Sequence, residues 1–211
     1  MKKVRIDHLL VERGLAESRT KAQALVMAGA VVVGEARVDK PGALVDPALP
    51  IRLKEDAAPQ RYVSRGALKL EKALEAFPID PRGLACADLG ASTGGFTDLL
   101  LQRGAARVYA VDVGYGQLHP RIRNDPRVVV RERENARALT AEALGERVDI
   151  VTGDLSFISL RLVLPAVKAI LKPGGAAILL VKPQFEVGKG EVGKGGVVRD
   201  EAKRRAALEG I

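Results

Sequence analysis

Ala87-Asp-Leu-Gly-Ala-Ser-Thr-Gly-Gly-Phe96 is the stretch that decides the fold of this 211-residue chain. It follows an apolar run and precedes residues spaced for a helix, so it reads as the loop between a strand and a helix. Gly90 permits a tight turn, Gly94 and Gly95 let the backbone approach a ligand, and the helix start offers unpaired N–H groups. The spacing Gly90-x-x-x-Gly94-Gly95 is not the Gly-x-Gly-x-x-Gly of a dinucleotide fingerprint. No Gly-Lys-Ser/Thr follows, as a nucleotide-triphosphate loop requires. On either side, apolar segments predict strands over 84–89, 107–111, 128–130, 148–152 and 176–181, alternating with helices such as 95–103 and 160–171. That rhythm predicts an α/β fold with a parallel, doubly wound sheet and ligands at the C-terminal strand ends.

Several polar residues fall on that rim. Asp112 ends the second strand, where a carboxylate accepts bonds from ribose hydroxyls in more than one class of cofactor-binding sheet. Asn135, after the third strand, reads equally as a contact for an adenine edge or as a turn residue. Asp154 follows the fourth strand and Lys182 the fifth. A lysine directly after an apolar strand needs a partner, and Asp154 is the natural one. By spacing alone the pair reads either as chemistry or as a rim salt bridge. Upstream, 64–77 is predicted helical, with Ala67, Leu70, Leu74 and Phe77 on one face and Arg65, Lys69 and Lys72 on the other.

The first sixty residues follow a different pattern. Ile6, Leu9, Leu10 and Leu15, then Ser18 to Met27, fit two short helices with Ser18 as N-cap to the second. Ala30 to Val38 alternates around a Gly34-Glu35 turn as a β-hairpin, and Ile51-Arg-Leu-Lys54 is a closing strand. The chain carries 34 Lys+Arg against 26 Asp+Glu, a net charge of +8, which favours a polyanionic partner. Its densest part is 61–72, with four basic residues and one acidic. Aromatic residues make up 3% of the chain, too few for modules that stack several bases on aromatic platforms. The longest apolar run, 176–181, is far short of the roughly 20 residues of a membrane span, and no export signal is legible. A lone cysteine, Cys86, forms neither an internal disulfide nor a Cys-rich zinc site. These features predict a cytoplasmic protein with no metal site; they leave the oligomeric state open, a monomer slightly favoured.

Two resemblances sharpen this reading. Residues 3–54 resemble the S4 RNA-binding domain through Arg5-Ile-Asp, Leu9-Leu10, Gly14-Leu-Ala-Glu-Ser-Arg19, Ala22, Gly29-Ala-Val-Val-Val-Gly34 and Lys40-Pro41-Gly42. The resemblance implies RNA contact by Arg5, Arg13, Arg19, Lys21, Arg37 and Lys40; charge pattern alone reads them as a solvated surface, with Glu12, Glu17 and Glu35 among them. The Gly-rich loop is similar to motif I of class I S-adenosylmethionine-dependent methyltransferases. With Ser64-Arg-Gly-Ala-Leu-Lys69, Asp154-Leu-Ser-Phe157-Ile-Ser159 and Val181-Lys182-Pro-Gln-Phe185-Glu186, it resembles the FtsJ-like RNA ribose 2′-O-methyltransferases. The S4 domain in front matches the TlyA, or hemolysin A-like, branch.

That resemblance implies an S4 domain over 1–56, a linker over 57–63 and a methyltransferase domain over 64–211. It further implies two final strands beyond those legible here, so the chain is expected to be C-terminally short of the full fold. It implies S-adenosylmethionine as cofactor, bound around Asp88, Gly90, Ser92, Gly94, Gly95, Phe96, Asp112 and Asn135. It implies methylation of cytidine in ribosomal RNA, with Arg65 joining the RNA contacts. Three members of a Lys-Asp-Lys-Glu tetrad carry over to Lys69, Asp154 and Lys182; neither Glu186 nor Glu191 is assigned the fourth place. Only the resemblance promotes Lys69, which spacing alone leaves on a solvated helix face. A ribose hydroxyl does not ionise unaided, and a second cation or desolvation favours a lysine that accepts its proton, the service expected of Lys69 toward Lys182. Phe157 and Phe185 read as base-stacking or core residues, and Lys189 and Lys194 as phosphate contacts or ordinary loop lysines. Other readings are a non-catalytic S4-type RNA-binding or assembly factor, a base-directed methyltransferase, and a membrane-active hemolysin. The chain has Asp154-Leu-Ser-Phe157 where amine-directed enzymes usually carry Asn/Asp-Pro-Pro-Tyr/Phe.

Overall fold

The computed structural model describes residues 3–27, 29–53, 61–188, 190–193 and 195–211. Lys189, Lys194 and 54–60, within which much of the expected linker falls, lie outside the described residues. The chain divides into two compact units, Met1–Arg61 and Tyr62–Ile211.

In the first unit β1 (Val4–Arg5) leads into α1 (Ile6–Glu12) and α2 (Arg19–Met27). The Ser18 hydroxyl accepts the Lys21 N–H, so the predicted N-cap forms. The hairpin is β2 (Val31–Val33) with β3 (Ala36–Val38), and after β4 (Leu44–Val45) the closing strand is β5 (Ile51–Leu53). β2 lies between β3 and β5, antiparallel to both, while β1 pairs with β4. Ile6, Leu10, Ala22, Val26 and Val31 form its core, each with no exposed surface.

The second unit carries the parallel sheet. Its strands are β6 (Ala85–Leu89), β7 (Arg107–Asp112), β8 (Val128–Glu132), β9 (Val148–Gly153) and β10 (Leu171–Leu179). They run in the order β10-β9-β6-β7-β8. The chain winds outward through β7 and β8, then returns to the other side of β6 for β9 and β10. The order therefore reverses between β6 and β9, where a doubly wound sheet opens a crevice at its C-terminal edge. Alternation along each strand separates two cores. Cys86, Val108 and Ile150 pack on one face, and Ala87, Tyr109 and Val151 on the other.

Helices cover both faces. α3 (Ala67–Ala76) and α4 (Gly95–Gln102) lie on the first, with Leu70, Leu99 and Leu100 buried. The short α5 (Pro120–Arg123) and α6 (Ala141–Leu144) precede β8 and β9. α7 (Leu164–Ile170) comes before β10, and α8 (Pro183–Glu186) and α9 (Glu201–Glu209) close the chain. Most bounds fall within two residues of expectation, and three features depart further. Residues 64–66 form a turn before α3, with the Ser64 hydroxyl accepting the Gly66 N–H. The helix expected over 160–171 splits into a 3₁₀ turn, Leu160–Leu162, and α7, whose Pro165 suits a first helical turn because it needs no N–H partner there. β10 starts earlier, with a register shift between Leu171 and Ala176 across Pro173, Gly174 and Gly175.

Candidate active site

The loop from Gly90 to Gly95 joins β6 to α4 and borders a cleft of about 360 Å³. Gly90 has φ +81°, and a Cβ there would stand 3.2 Å from the Asp154 carbonyl oxygen. Gly94, at φ +94°, caps α4, and a Cβ would stand 2.8 Å from Leu118 Cδ1. Both positions need glycine for conformation and for space. Gly90, Ser92, Gly95, Phe96 and Asp88 line the cleft, together with Lys69, Asp154 and Lys182.

Two carboxylates hold the loop in shape. Asp88 is buried, and Thr97 donates both its backbone N–H (2.9 Å) and its hydroxyl (2.7 Å) to Asp88 Oδ2. Burial pushes the Asp88 carboxyl up to about 6 against the pull of the Thr97 bonds. Asp112 Oδ2 accepts the Ser92 N–H at 2.8 Å and Oδ1 the Gly114 N–H at 2.7 Å. The first of these bonds restrains Ser92 at φ +48°, an unusual angle for a residue with a side chain. A carboxylate offers about four acceptor sites, so Asp112 keeps capacity for a hydroxyl donor. Asn135 stands apart from the cleft lining and caps the Ala136–Ala138 turn by accepting the Arg137 N–H.

Asp154 stands between two lysines. Lys69 Nζ is 2.7 Å from Oδ2, and Lys182 Nζ is 2.7 Å from Oδ1. The Lys182 ammonium donates its well-directed bond to Ser156 Oγ at 2.7 Å; its approach to Asp154 Oδ1 is an ion pair rather than an aligned hydrogen bond. Burial would raise the Asp154 carboxyl, but the two ammonium groups outweigh it and hold the group below the usual carboxylate range. Lys69 reaches Asp154 because α3 is anchored to α4. Val63 donates its N–H to Asp98 Oδ2 at 2.7 Å, and Tyr62 is buried beside that helix. Spacing on α3 shows only a polar face; it takes this anchoring to turn Lys69 toward the rim.

Further cleft residues were not singled out by sequence reasoning, Ser156 and Thr93 among them. Ser156 sits inside the quoted Asp154-to-Phe157 motif, but a loop serine has no periodicity to betray it. Phe157 is 91% exposed and its ring centroid lies 5.3 Å from that of Phe185. Glu186 is occupied with Ser159 and Leu160, away from the lysine pair.

The expected RNA residues of the first unit divide by partner. Asp7, with no exposed surface, accepts from Arg5 at 3.0 and 2.9 Å, Arg19 at 3.1 Å and Gln23 at 3.0 Å. Arg13 donates to the Pro47 and Leu49 carbonyls, and Lys21 pairs with Glu17. Arg37 and Lys40 are exposed, and among the described residues neither has a carboxylate partner. Arg65, also exposed, precedes α3 in the second unit. Among the described residues no helix is long and apolar enough to cross a membrane, and no cluster of His, Cys, Asp and Glu could hold a metal ion.

The pattern of the family described as FtsJ-like methyltransferase matches residues 62–211, and that of the S4 domain residues 4–49. The chain belongs to the FtsJ-like methyltransferases. Within them it falls with the TlyA branch. It is 54% identical over 207 residues to the 16S/23S rRNA (cytidine-2′-O)-methyltransferase TlyA of Mycobacterium tuberculosis, covering 98% of this chain and 77% of that protein. It is 39% identical to Hemolysin A of Brachyspira hyodysenteriae, over 97% of this chain and 85% of the relative. A solved structure named as a hemolysin, from Streptococcus thermophilus, shares 46% identity at a TM-score of 0.71, covering 100% of this chain and 76% of that one. An S4 domain ahead of an FtsJ-like methyltransferase domain is thus the organisation of this chain.

Proposed function

We propose that this FtsJ-like methyltransferase transfers a methyl group from S-adenosylmethionine to the ribose 2′-hydroxyl of cytidine in ribosomal RNA. The observation that carries the proposal is the single carboxylate of Asp154 bridging Lys69 and Lys182 on the rim of a glycine-walled cleft. The printed activity of the Mycobacterium relative supports the choice of cytidine and of ribosomal RNA.

The residues present fit the cofactor. Gly66, Gly90 and Gly95 line the cleft, and a side chain at Gly90 would crowd the Asp154 backbone, so backbone can approach a ligand closely there. Asp112 keeps acceptor capacity for ribose hydroxyls, and the start of α4 favours a carboxylate. When bound, S-adenosylmethionine supplies a methyl group on a sulfonium cation.

Lys182 is assigned to the substrate hydroxyl, orienting its oxygen while protonated and taking its proton when neutral, as the new O–CH₃ bond would form and the donor's S–CH₃ bond would break. Asp154 holds Lys182 in reach and places a negative charge near the cationic donor. Lys69 adds a second positive charge, which steers an RNA phosphate toward the rim. Ser156 fixes the rotamer of Lys182 through its hydroxyl. Phe157, exposed on the same rim, offers a stacking surface for a base taken out of its helix. In the first unit Arg37 and Lys40 are assigned to RNA phosphates, with Arg5, Arg13, Arg19 and Lys21 contributing positive field.

Methyl-labelled donor, incubated with ribosomal subunits and followed by mapping of modified nucleotides, tests this. Label on the 2′-oxygen of a cytidine, absent with Lys182→Ala, is the expected result. Label on a base would point to a base-directed enzyme, and no transfer with intact RNA binding to an assembly factor; either would overturn the proposal.

A further inference from the structure

The loop after β9 and the segment after β10 meet at a series of successive rungs. Lys182 pairs with Asp154 and donates to Ser156, each at 2.7 Å. Phe185 meets Phe157 with rings tilted by 48°. Glu186 then accepts the Ser159 hydroxyl at 2.6 Å and the Leu160 N–H at 2.8 Å. The single turn of α8 connects these partners rigidly, with the Phe185 N–H donated to the Lys182 carbonyl at 2.9 Å.

Between the first and last rungs sits Phe157, at φ +63°. An aromatic residue holds that angle only where its surroundings over-determine it. Phe157 is 91% exposed, so its own burial does not hold it. The restraint comes from the backbone on both sides. Upstream, the Asp154 N–H is donated to the Leu89 carbonyl at 3.2 Å; downstream, Leu160 is held by Glu186.

We propose that Glu186, acting through Ser159 and Leu160, is a positioning residue for methyl transfer. It clamps the 154–160 loop so that Phe157 stays presented and Lys182 stays paired with Asp154 and bonded to Ser156. Glu186 does not line the cleft and touches no reacting group. The inference rests on the methyltransferase reading above.

Glu186→Ala removes the clamp, whereas Glu186→Gln keeps it: the amide oxygen accepts the Leu160 N–H, and the amide N–H₂ donates to a Ser159 hydroxyl that can turn. In Glu186→Ala, kcat for labelled methyl transfer falls roughly tenfold to a hundredfold, the scale expected of a displaced reacting group. Donor affinity by calorimetry stays within a few-fold, and Glu186→Gln recovers most of kcat. Hydrogen exchange at the Leu160 amide reads the clamp without relying on catalysis: exchange accelerates in Glu186→Ala and stays slow in Glu186→Gln. An unchanged kcat, an unchanged Leu160 exchange rate, or a loss of donor binding equal to the loss of kcat would overturn the positioning role. If the unsubstituted protein transfers no methyl group while Leu160 exchange responds as described, the methyltransferase reading fails. The clamp is then structural only, and its positioning role falls with that reading.

Discussion

At the residue scale, two aspartates at the ends of neighbouring strands have carboxyls shifted in opposite directions. Asp154 gains from its lysines more than burial takes away, so its ionised form is favoured and its stabilisation is present above the usual carboxylate range and lost on acidification. Asp88 is the reverse. Its carboxyl is raised from 3.8 to about 6 by burial, so the folded protein holds a proton there that the unfolded chain releases. That contribution is full below about pH 4 and disappears as pH climbs through about 6. Asp88→Asn keeps the shape and removes the titration. The stability of the unsubstituted protein minus that of the variant, from urea unfolding, therefore falls between pH 4 and 6 and levels off above 7. A difference that rises over that window would contradict the assignment. Substitution at Asp154 tests chemistry instead. Asp154→Asn leaves two ammonium groups without their shared counter-charge, and methyl transfer drops by at least about a hundredfold. Donor affinity by calorimetry falls only a few-fold, the share owed to the lost negative charge beside the sulfonium, because the glycine loop stays intact. A variant that retained full transfer would remove Asp154 from the mechanism.

At the scale of elements, Asp7 is the tie that joins β1, α1 and α2. It sits in the first turn of α1 and takes hydrogen bonds from Arg5 on β1 and from Arg19 and Gln23 on α2. The arginines hold its carboxyl well below the usual range despite its burial. Asp7→Ala is expected to destabilise the first unit by about 2 to 3 kcal/mol, since its partners are half exposed and recover water when released. A separate, lower melting transition in calorimetry checks this; an unchanged melt would mean the bonds contribute nothing net. The same tie explains what spacing could and could not reveal. Strands β6, β7 and β9 were legible because both of their faces are apolar, and the Gly90–Gly95 loop because glycine marks forbidden side chains. Asp7 entered only as the last residue of the Arg5-Ile-Asp motif, since nothing local says that two arginines from different elements converge on it. Lys69 was hidden for a similar reason: its partner lies 85 residues away, and only the packing of α3 on α4 brings them together. Phe157 kept two readings because exposure cannot be inferred from hydrophobicity.

At the scale of the whole molecule, the +8 charge is a poor count of what faces RNA. Arg5 and Arg19 share the buried Asp7, and Lys21 is matched by Glu17, so much of the first unit's charge is locally balanced. Arg37 and Lys40 are exposed with no carboxylate partner among the described residues. If they contact phosphates, the double variant Arg37→Ala/Lys40→Ala releases about two fewer counterions on binding. The slope of log affinity against log salt for ribosomal RNA is then shallower by about 1.4 to 1.8, with the melting temperature unchanged. Arg5→Ala is expected to differ in kind: it lowers the melting temperature, because it strips a partner from Asp7, and its effect on affinity follows that loss. A double variant with an unaltered salt slope would move the RNA-facing charge elsewhere, to Arg13 or to Arg65. The comparison works because the two classes of arginine differ in what they hold. A residue that neutralises a buried acid supports the fold before it can serve RNA, whereas one with no internal partner is available only to a ligand.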